Sequence, residues 1–265
     1  MAGTLIAMGG AVQPDGSALK TFYEHSGGFH SRIVVIPTAS QRDGVGEDYA
    51  NAFLRFGLDH PARVLPIYER SDAYQEEYVQ AIREATGIFL TGGKQMRLAA
   101  ALGGTPVHRE MLSQYQKGAV VAGSSAGAAA LSSVMIAFGR SGSYPRQRLA
   151  RLGPGLGFIS TAIIDQHFRQ RNHMGRLLYA VTSNPGLLGI GIDEDTAAII
   201  QGSQITVTGS GAVTIVDGST ITESNVAEVT INQVIAMSCA RLHVLTRGCL
   251  FDIETRTAKI TCLRS

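Results

Sequence analysis

The stretch VVAGSSAGAAALSS, residues 120–133, sets Ser125 between Gly123 and Gly127, where an apolar run gives way to an alanine-rich one. Gly-x-Ser-x-Gly at a strand-to-helix turn has a chemical use. The sharp turn holds the central hydroxyl proud of the sheet, and the flanking glycines avoid clashes there. The next backbone N–H, that of Ala126, then faces a developing oxyanion. Glycine–serine turns between strands and helices are common, so the pattern counts only with partners. Two other segments offer them. In DQHFRQRNHMGRLL, 165–178, His167 closes an apolar run, and Arg169, Arg171, His173 and Arg176 follow. A charge run on a helix is ordinarily a solvated face. Cations gathered after a strand end, beside a base, are equally what would hold a substrate carboxylate. In GIDEDTA, 191–197, the carboxylates Asp193, Glu194 and Asp195 stand where another apolar run stops. A polar turn would explain them, and so would an acid that orients a histidine Nδ1–H and stabilises its imidazolium.

These residues need a scaffold, and the apolar runs supply one. TLIAMG (4–9), RIVVIP (32–37), ARVLPI (62–67), GIFL (87–90), AVVAG (119–123) and TAIID (161–165) each stop at a glycine, proline or polar residue. Short, nearly continuous apolar runs suit strands of a parallel sheet covered on both faces. Helical spacing recurs between them, over 47–57, 73–85 and 94–102. Alternating β and α predicts an α/β fold with a doubly wound, mostly parallel sheet, and ligands outside the carboxyl ends of its strands. Thr91 to Gln95, Ser125 and His167 all fall at such ends. Beyond about residue 187 the segments are short, β-like and separated by glycine and serine, which reads as extra C-terminal hairpins. Residues 139–154 read as a glycine- and arginine-rich surface loop. With no linker or internal repeat, residues 1–265 are expected to form one domain.

Composition narrows the function classes. Hydrophobic residues make up 45% of the chain and charged residues 17%, a globular balance. The net charge of +2 gives no basic excess for nucleic acid. No apolar run reaches the roughly 18 residues of a membrane span. The first residues lack the cationic and apolar regions of a signal peptide. Cys239, Cys249 and Cys262 show no metal-ligand spacing and read as free thiols, so a cytoplasmic location is expected.

SSAGAAALSS, FLTGGKQMRL (89–98), IDQHFRQRNHMGRLL and GIDEDTA, in this order and spacing, resemble the signature blocks of the cyanophycinases, serine peptidases related to the α-aspartyl dipeptidase peptidase E. PTAS (37–40) and RQRLARLGPGLGFI (146–159) extend the resemblance over most of residues 1–245. The resemblance implies a fold like that of class I glutamine amidotransferases, with serine at the elbow. It implies Ser125 as nucleophile, His167 as general base and Glu194 as the acid, with Asp193 the lesser choice. The N–H groups of Gly93 and Ala126 become the oxyanion donors, and Gln95, Asp165, Gln166, Arg171 and Arg176 shape the substrate pocket. It further implies a homodimer, no cofactor or metal, and a peptide substrate. That substrate is an aspartate backbone whose side chains carry arginine, cut to β-aspartyl-arginine. Three positions depart from the family pattern: His173 replaces an expected arginine, Lys94 stands where a small polar residue is usual, and MGGAVQPDG lacks the acidic pair after its GGA. His173 is expected to line the pocket with a weaker, titratable contact. A small aspartyl dipeptidase that ignores the polymer, or a silent peptide-binding member of the fold, are the other readings.

Overall fold

A computed structural model describes residues 2–261, which leaves Cys262 outside the described residues. Its main sheet begins with five parallel strands: β1 (Leu5–Met8), β2 (Ile33–Ile36), β3 (Arg63–Val64), β4 (Gly87–Leu90) and β5 (Val120–Ser124), in spatial order β1-β5-β4-β2-β3. Alternation along the strands sends side chains to two buried layers. Ile6, Met8, Val35, Phe89 and Ala122 meet helices α1 (Ser17–His25) and α2 (Val45–Arg55). Leu5, Val34, Ile36, Ile88, Leu90 and Val121 meet α3 (Glu76–Glu84), α4 (Gln95–Leu102) and α5 (Pro106–Gln116) on the other face. The short helix α6 (Ala126–Ala130) starts directly at the serine elbow and lies in this second layer.

The predicted surface loop 139–154 is half a hairpin. Strand β6 (Val134–Gly139) pairs antiparallel with β7 (Ala150–Pro154), and Leu149 and Ala150 are buried. Arg151, Gly153 and Pro154 masked the strand character of β7, whose pairing lies with β6 and not with the main sheet. The expected strand over 161–165 exists as β8 (Ala162–Gln166), but in a second sheet. It runs parallel to β9 (Leu188–Ile192). Ile164, Ile190 and Ile192 turn toward the second layer of the main sheet. Ile163 and Phe168 instead meet α7 (Met174–Ser183), the helix whose apolar stripe the sequence showed.

The C-terminal β segments divide between the sheets. Strands β10 (Thr196–Gln201) and β11 (Gln204–Gly209) extend the main sheet antiparallel from β1. Strands β12 (Val213–Asp217) and β13 (Arg241–Leu245) extend the second, and β14 (Leu250–Asp252) with β15 (Thr257–Lys259) complete the first. No helix among the described residues is long and apolar enough to cross a membrane.

Candidate active site

Three turns converge on the end of β1. The carbonyl of Met8 accepts the N–H of Ser125 at 2.9 Å, that of Gly9 the N–H of His167 at 2.8 Å, and that of Gly10 the N–H of Asp195 at 2.9 Å. Three consecutive carbonyls thus gather the serine elbow, the histidine and the acidic turn. Glycine is required here for room. A Cβ on Gly10 would sit 2.3 Å from His167 Cε1, and one on Gly9 would sit 1.9 Å from the Asp193 carbonyl oxygen. The imidazole therefore lies against bare backbone. Sequence reasoning had no role for this MGG hub; two glycines directly after a buried strand were the available signal.

On that frame the side chains form one relay. Ser125 Oγ lies 2.9 Å from His167 Nε2, and His167 Nδ1 lies 2.6 Å from Glu194 Oε1. Ser125 holds φ 53° and ψ −111°, and His167 holds φ 50°. Such backbone conformations are unfavourable for residues with a side chain, by roughly 1–3 kcal/mol each, and persist where the surroundings impose them. Ser124 is buried on the opposite face, where its hydroxyl meets that of Tyr49. Of the two serines only Ser125 is presented to the histidine.

The acidic turn separates its carboxylates by partner. Asp193 is buried and accepts the backbone N–H of Arg169 at 3.0 Å and of Ala212 at 3.2 Å, so it ties the two loops together. Glu194 alone reaches the imidazole, and Gln170 Oε1 accepts its backbone N–H at 3.1 Å. Burial holds His167 below the ordinary imidazole range; the Glu194 hydrogen bond pulls the other way, and the Arg171 charge adds to the lowering. The ring is thus neutral near pH 7, free to take a proton from a hydroxyl and, once charged, supported by a carboxylate.

A peptidase family model, Peptidase family S51, matches residues 5–208. The chain belongs to peptidase family S51. It is a hydrolase, and its curated relatives narrow the class. It is 37% identical over 266 residues to a cyanophycinase of Synechococcus elongatus, covering 98% of this chain and 82% of the relative. It is 40% identical over 243 residues to a cyanophycinase of Nostoc sp., covering 90% and 81%. Among solved structures, a peptidase from an acI-B1 Actinobacterium superposes with TM-score 0.69 at 25% identity, over 95% of this chain and 97% of the other. A protein assigned as peptidase E from Listeria monocytogenes EGD-e shares the fold, with TM-score 0.56 at 18% identity, over 80% of this chain and all of the other.

In this S51 peptidase a cleft of about 540 Å³ opens beside Ser125, between α4, the β6–β7 hairpin and the turn into α7. Gly93, Lys94, Gln95, Gln166, Arg171 and His173 are among its walls. The turn carrying Gly92 and Gly93 closes on the elbow, since a Cβ on Gly92 would lie 3.3 Å from Ser125 Cβ. Gly93 itself has φ +144° and packs on the Ala39 carbonyl so closely that a Cβ would fall 2.0 Å away. Ala126 opens α6, where its N–H has no acceptor inside the helix. The Gln95 amide donates to the carbonyls of Ile136 and Ala137 at 2.8 and 3.2 Å, fastening α4 to the hairpin.

Asp165 and Arg176 are engaged with each other. Asp165, only 1% exposed, accepts two hydrogen bonds from the Arg176 guanidinium, which also donates to the Gly139 carbonyl. Burial alone would raise the Asp165 carboxyl; the hydrogen bonds from Arg176 and His173 outweigh it and hold the group below its ordinary range. Asp165 is not among the cleft walls, and Arg176 forms a wall whose charge is already paired. Arg171 precedes α7 and keeps its charge facing the cleft and the imidazole. His173 stands at the N-cap position of α7 and, with Arg176 three residues on, faces both the cleft and Asp165. Its Nδ1 lies 2.9 Å from the Gln166 carbonyl, which fixes the proton there and leaves Nε2 free. Gln166 Oε1 is buried without a partner, an acceptor available to an N–H in the cleft.

Proposed function

We propose that this S51 peptidase is a serine exopeptidase of the cyanophycinase type, releasing β-aspartyl-arginine units from an aspartate chain whose side chains carry arginine. The observation that carries the mechanism is the Ser125–His167–Glu194 relay at the mouth of a cationic cleft; the cyanophycinase relatives carry the substrate. Ser125 Oγ attacks the scissile carbonyl while His167 Nε2 takes its proton. The oxyanion is received by the N–H groups of Gly93 and Ala126. Glu194 stabilises the imidazolium, which then protonates the leaving amine. Water, deprotonated by the same imidazole, hydrolyses the acyl-enzyme and restores Ser125. Arg171 and His173 hold substrate carboxylate, Gln166 Oε1 takes an N–H, and Gln95, Asp165 and Arg176 keep the walls in place.

Residues 1–265 act as one peptidase unit in this reading, because the second sheet delivers His167 and Glu194 to a serine of the first. Cys239 and Cys249 are free thiols, which suits the cytoplasm, where we place the protein. The homodimer rests on family resemblance alone. A dipeptidase reading is favoured by one feature: the walls present cations and amides, while Asp165, the carboxylate behind them, is already paired with Arg176. Such a lining suits a small acidic dipeptide. Incubation with insoluble cyanophycin beside aspartyl and isoaspartyl dipeptides, with products identified by mass spectrometry, separates the two. Release of β-aspartyl-arginine is expected; cleavage of dipeptides alone would replace the first reading with the second.

A further inference from the structure

A second cavity, of about 320 Å³, lies on the opposite face of the main sheet, between the loop after β1 and helix α2. Val12, Pro14, Arg42, Asp48, Tyr49 and Arg55 are among its walls. Val12 and Tyr49 pack on the layer that holds Met8 and Ala122, whereas Met96 of the cleft packs on the layer that holds Leu90 and Val121. The two cavities therefore flank the carboxyl end of the same strands from opposite sides.

Each wall of the second cavity is tied to one turn of the catalytic site. The β1 loop starts at Gly10, the glycine on which the His167 ring rests. The loop carrying Arg42 starts at Ala39, whose carbonyl accepts the Lys94 N–H at 2.9 Å and packs on Gly93. Tyr49 reaches the hydroxyl of Ser124, next to the nucleophile. A substrate that is a chain must lie on both sides of the attacking oxygen, one part on each side of the bond to be cut. The cleft lies against one face of the sheet beside Ser125, and the second cavity against the other.

The lining fits the other part. Arg42 and Asp48 pair at 2.6 Å, but both remain largely exposed, at 68% and 61% of their side chains, so the pair is open to exchange partners. Arg55 adds a second cation at the rim, and Val12 with the Tyr49 ring offers apolar surface to an aliphatic stem. We infer that this cavity holds the uncleaved remainder of the chain, with Arg42 and Arg55 receiving its carboxylates and Asp48 a guanidinium. The inference rests on the reading of the substrate as an arginine-bearing aspartate chain.

Binding to the Ser125→Ala protein tests it without turnover. The probes are a synthetic oligomer of several β-aspartyl-arginine units and the single unit, compared by calorimetry. The oligomer is expected to bind more tightly than the single unit. The further changes Arg42→Glu and Arg55→Glu together should weaken the oligomer about tenfold, from two exposed charges reversed at once. The single unit, seated in the cleft, should hold within about twofold, which also reports an intact fold. Raising the salt should erode the oligomer's advantage in the unreversed protein. An oligomer bound no more tightly than one unit, or an advantage that survives charge reversal, overturns the proposal. Turnover of the polymer by the wild-type enzyme is a separate readout, so failure of the functional reading stays distinguishable from failure of this one.

Discussion

Replacing Glu194 with glutamine removes one charge from the relay while keeping its shape. The carboxylate sits 2.6 Å from His167 Nδ1 and is 34% exposed, so it is partly screened. A charge-assisted hydrogen bond of this kind contributes about 1.5–3 kcal/mol, or roughly 10- to 150-fold in rate. A glutamine that turns its amide toward the ring also favours the wrong tautomer, which in the best-studied serine protease carries the loss to about 10⁴. With a third of the acid in solvent, about 10²–10³ in kcat is expected. The pH profile adds a second, opposite mark. Burial and Arg171 lower the imidazole while Glu194 raises it, so its removal leaves the lowering unopposed. The acid limb of kcat/KM should therefore move to lower pH in Glu194→Gln, although the enzyme is slower. Asp193→Asn makes the contrast, since Asp193 bonds the backbone N–H groups of Arg169 and Ala212 and pairs with the Arg169 guanidinium, not with the imidazole. It should lower the melting temperature and leave kcat within several-fold. Stopped assays on β-aspartyl-arginine oligomer across pH 4–9 read both effects. A larger loss of kcat in Asp193→Asn, or an acid limb that moves up in Glu194→Gln, would refute the assignment.

The same electrostatics predict the reverse for Arg171→Gln: losing a cation that lowers His167 should move the acid limb to higher pH and raise KM, checked in the same profiles. Gly10→Ala should leave a folded protein with kcat reduced at least tenfold, because the new Cβ displaces the imidazole against which it would sit at 2.3 Å; a variant with unchanged kcat would show that the ring does not depend on that contact. Arg176→Met should destabilise by about 3–5 kcal/mol, some 6–20 °C in melting temperature, by leaving the buried Asp165 carboxylate unpaired. The Asp165 carboxyl is held below its ordinary value of 3.8, so its pairing contributes fully above that pH and is lost as pH falls through the folded-state value. Without Arg176 the burial that raises the Asp165 carboxyl is no longer outweighed, so the variant is relieved by protonation before the wild type loses its pair. The gap between wild type and Arg176→Met should therefore narrow as pH falls from 7 in scanning calorimetry, and a gap that widens would contradict the pairing.

Much of this site was legible in the sequence because Ser125, His167 and the acidic turn each follow a strand, and strand ends are marked by composition. Ser125 announced itself by its flanking glycines, and the cationic run by its density after His167. The choice between Asp193 and Glu194 was not available from residue types. It depends on which side chain turns toward the imidazole and which toward the N–H groups of Arg169 and Ala212. The hub of Met8, Gly9 and Gly10 acts through backbone carbonyls, which any residue carries. Nor could the pattern separate β8 from the main sheet, since parallel strands buried on both faces read alike whichever sheet receives them; β9, read with the C-terminal hairpins because glycines interrupt it, in fact runs parallel to β8. The engagement of Arg176 with Asp165 was hidden for a related reason. Eleven positions separate the two residues, and only the turn through His173 brings the guanidinium back over the end of β8.

The claim on which the rest depends is that Ser125, and not its neighbour, carries the acyl group. Labelling with a serine-directed phosphonate followed by peptide mapping reads this directly, with Ser125→Ala and Ser124→Ala treated in parallel. The account predicts one adduct, on Ser125, present in wild type and in Ser124→Ala and absent from Ser125→Ala, which should also release no β-aspartyl-arginine. An adduct on Ser124, or undiminished release by Ser125→Ala, would contradict it.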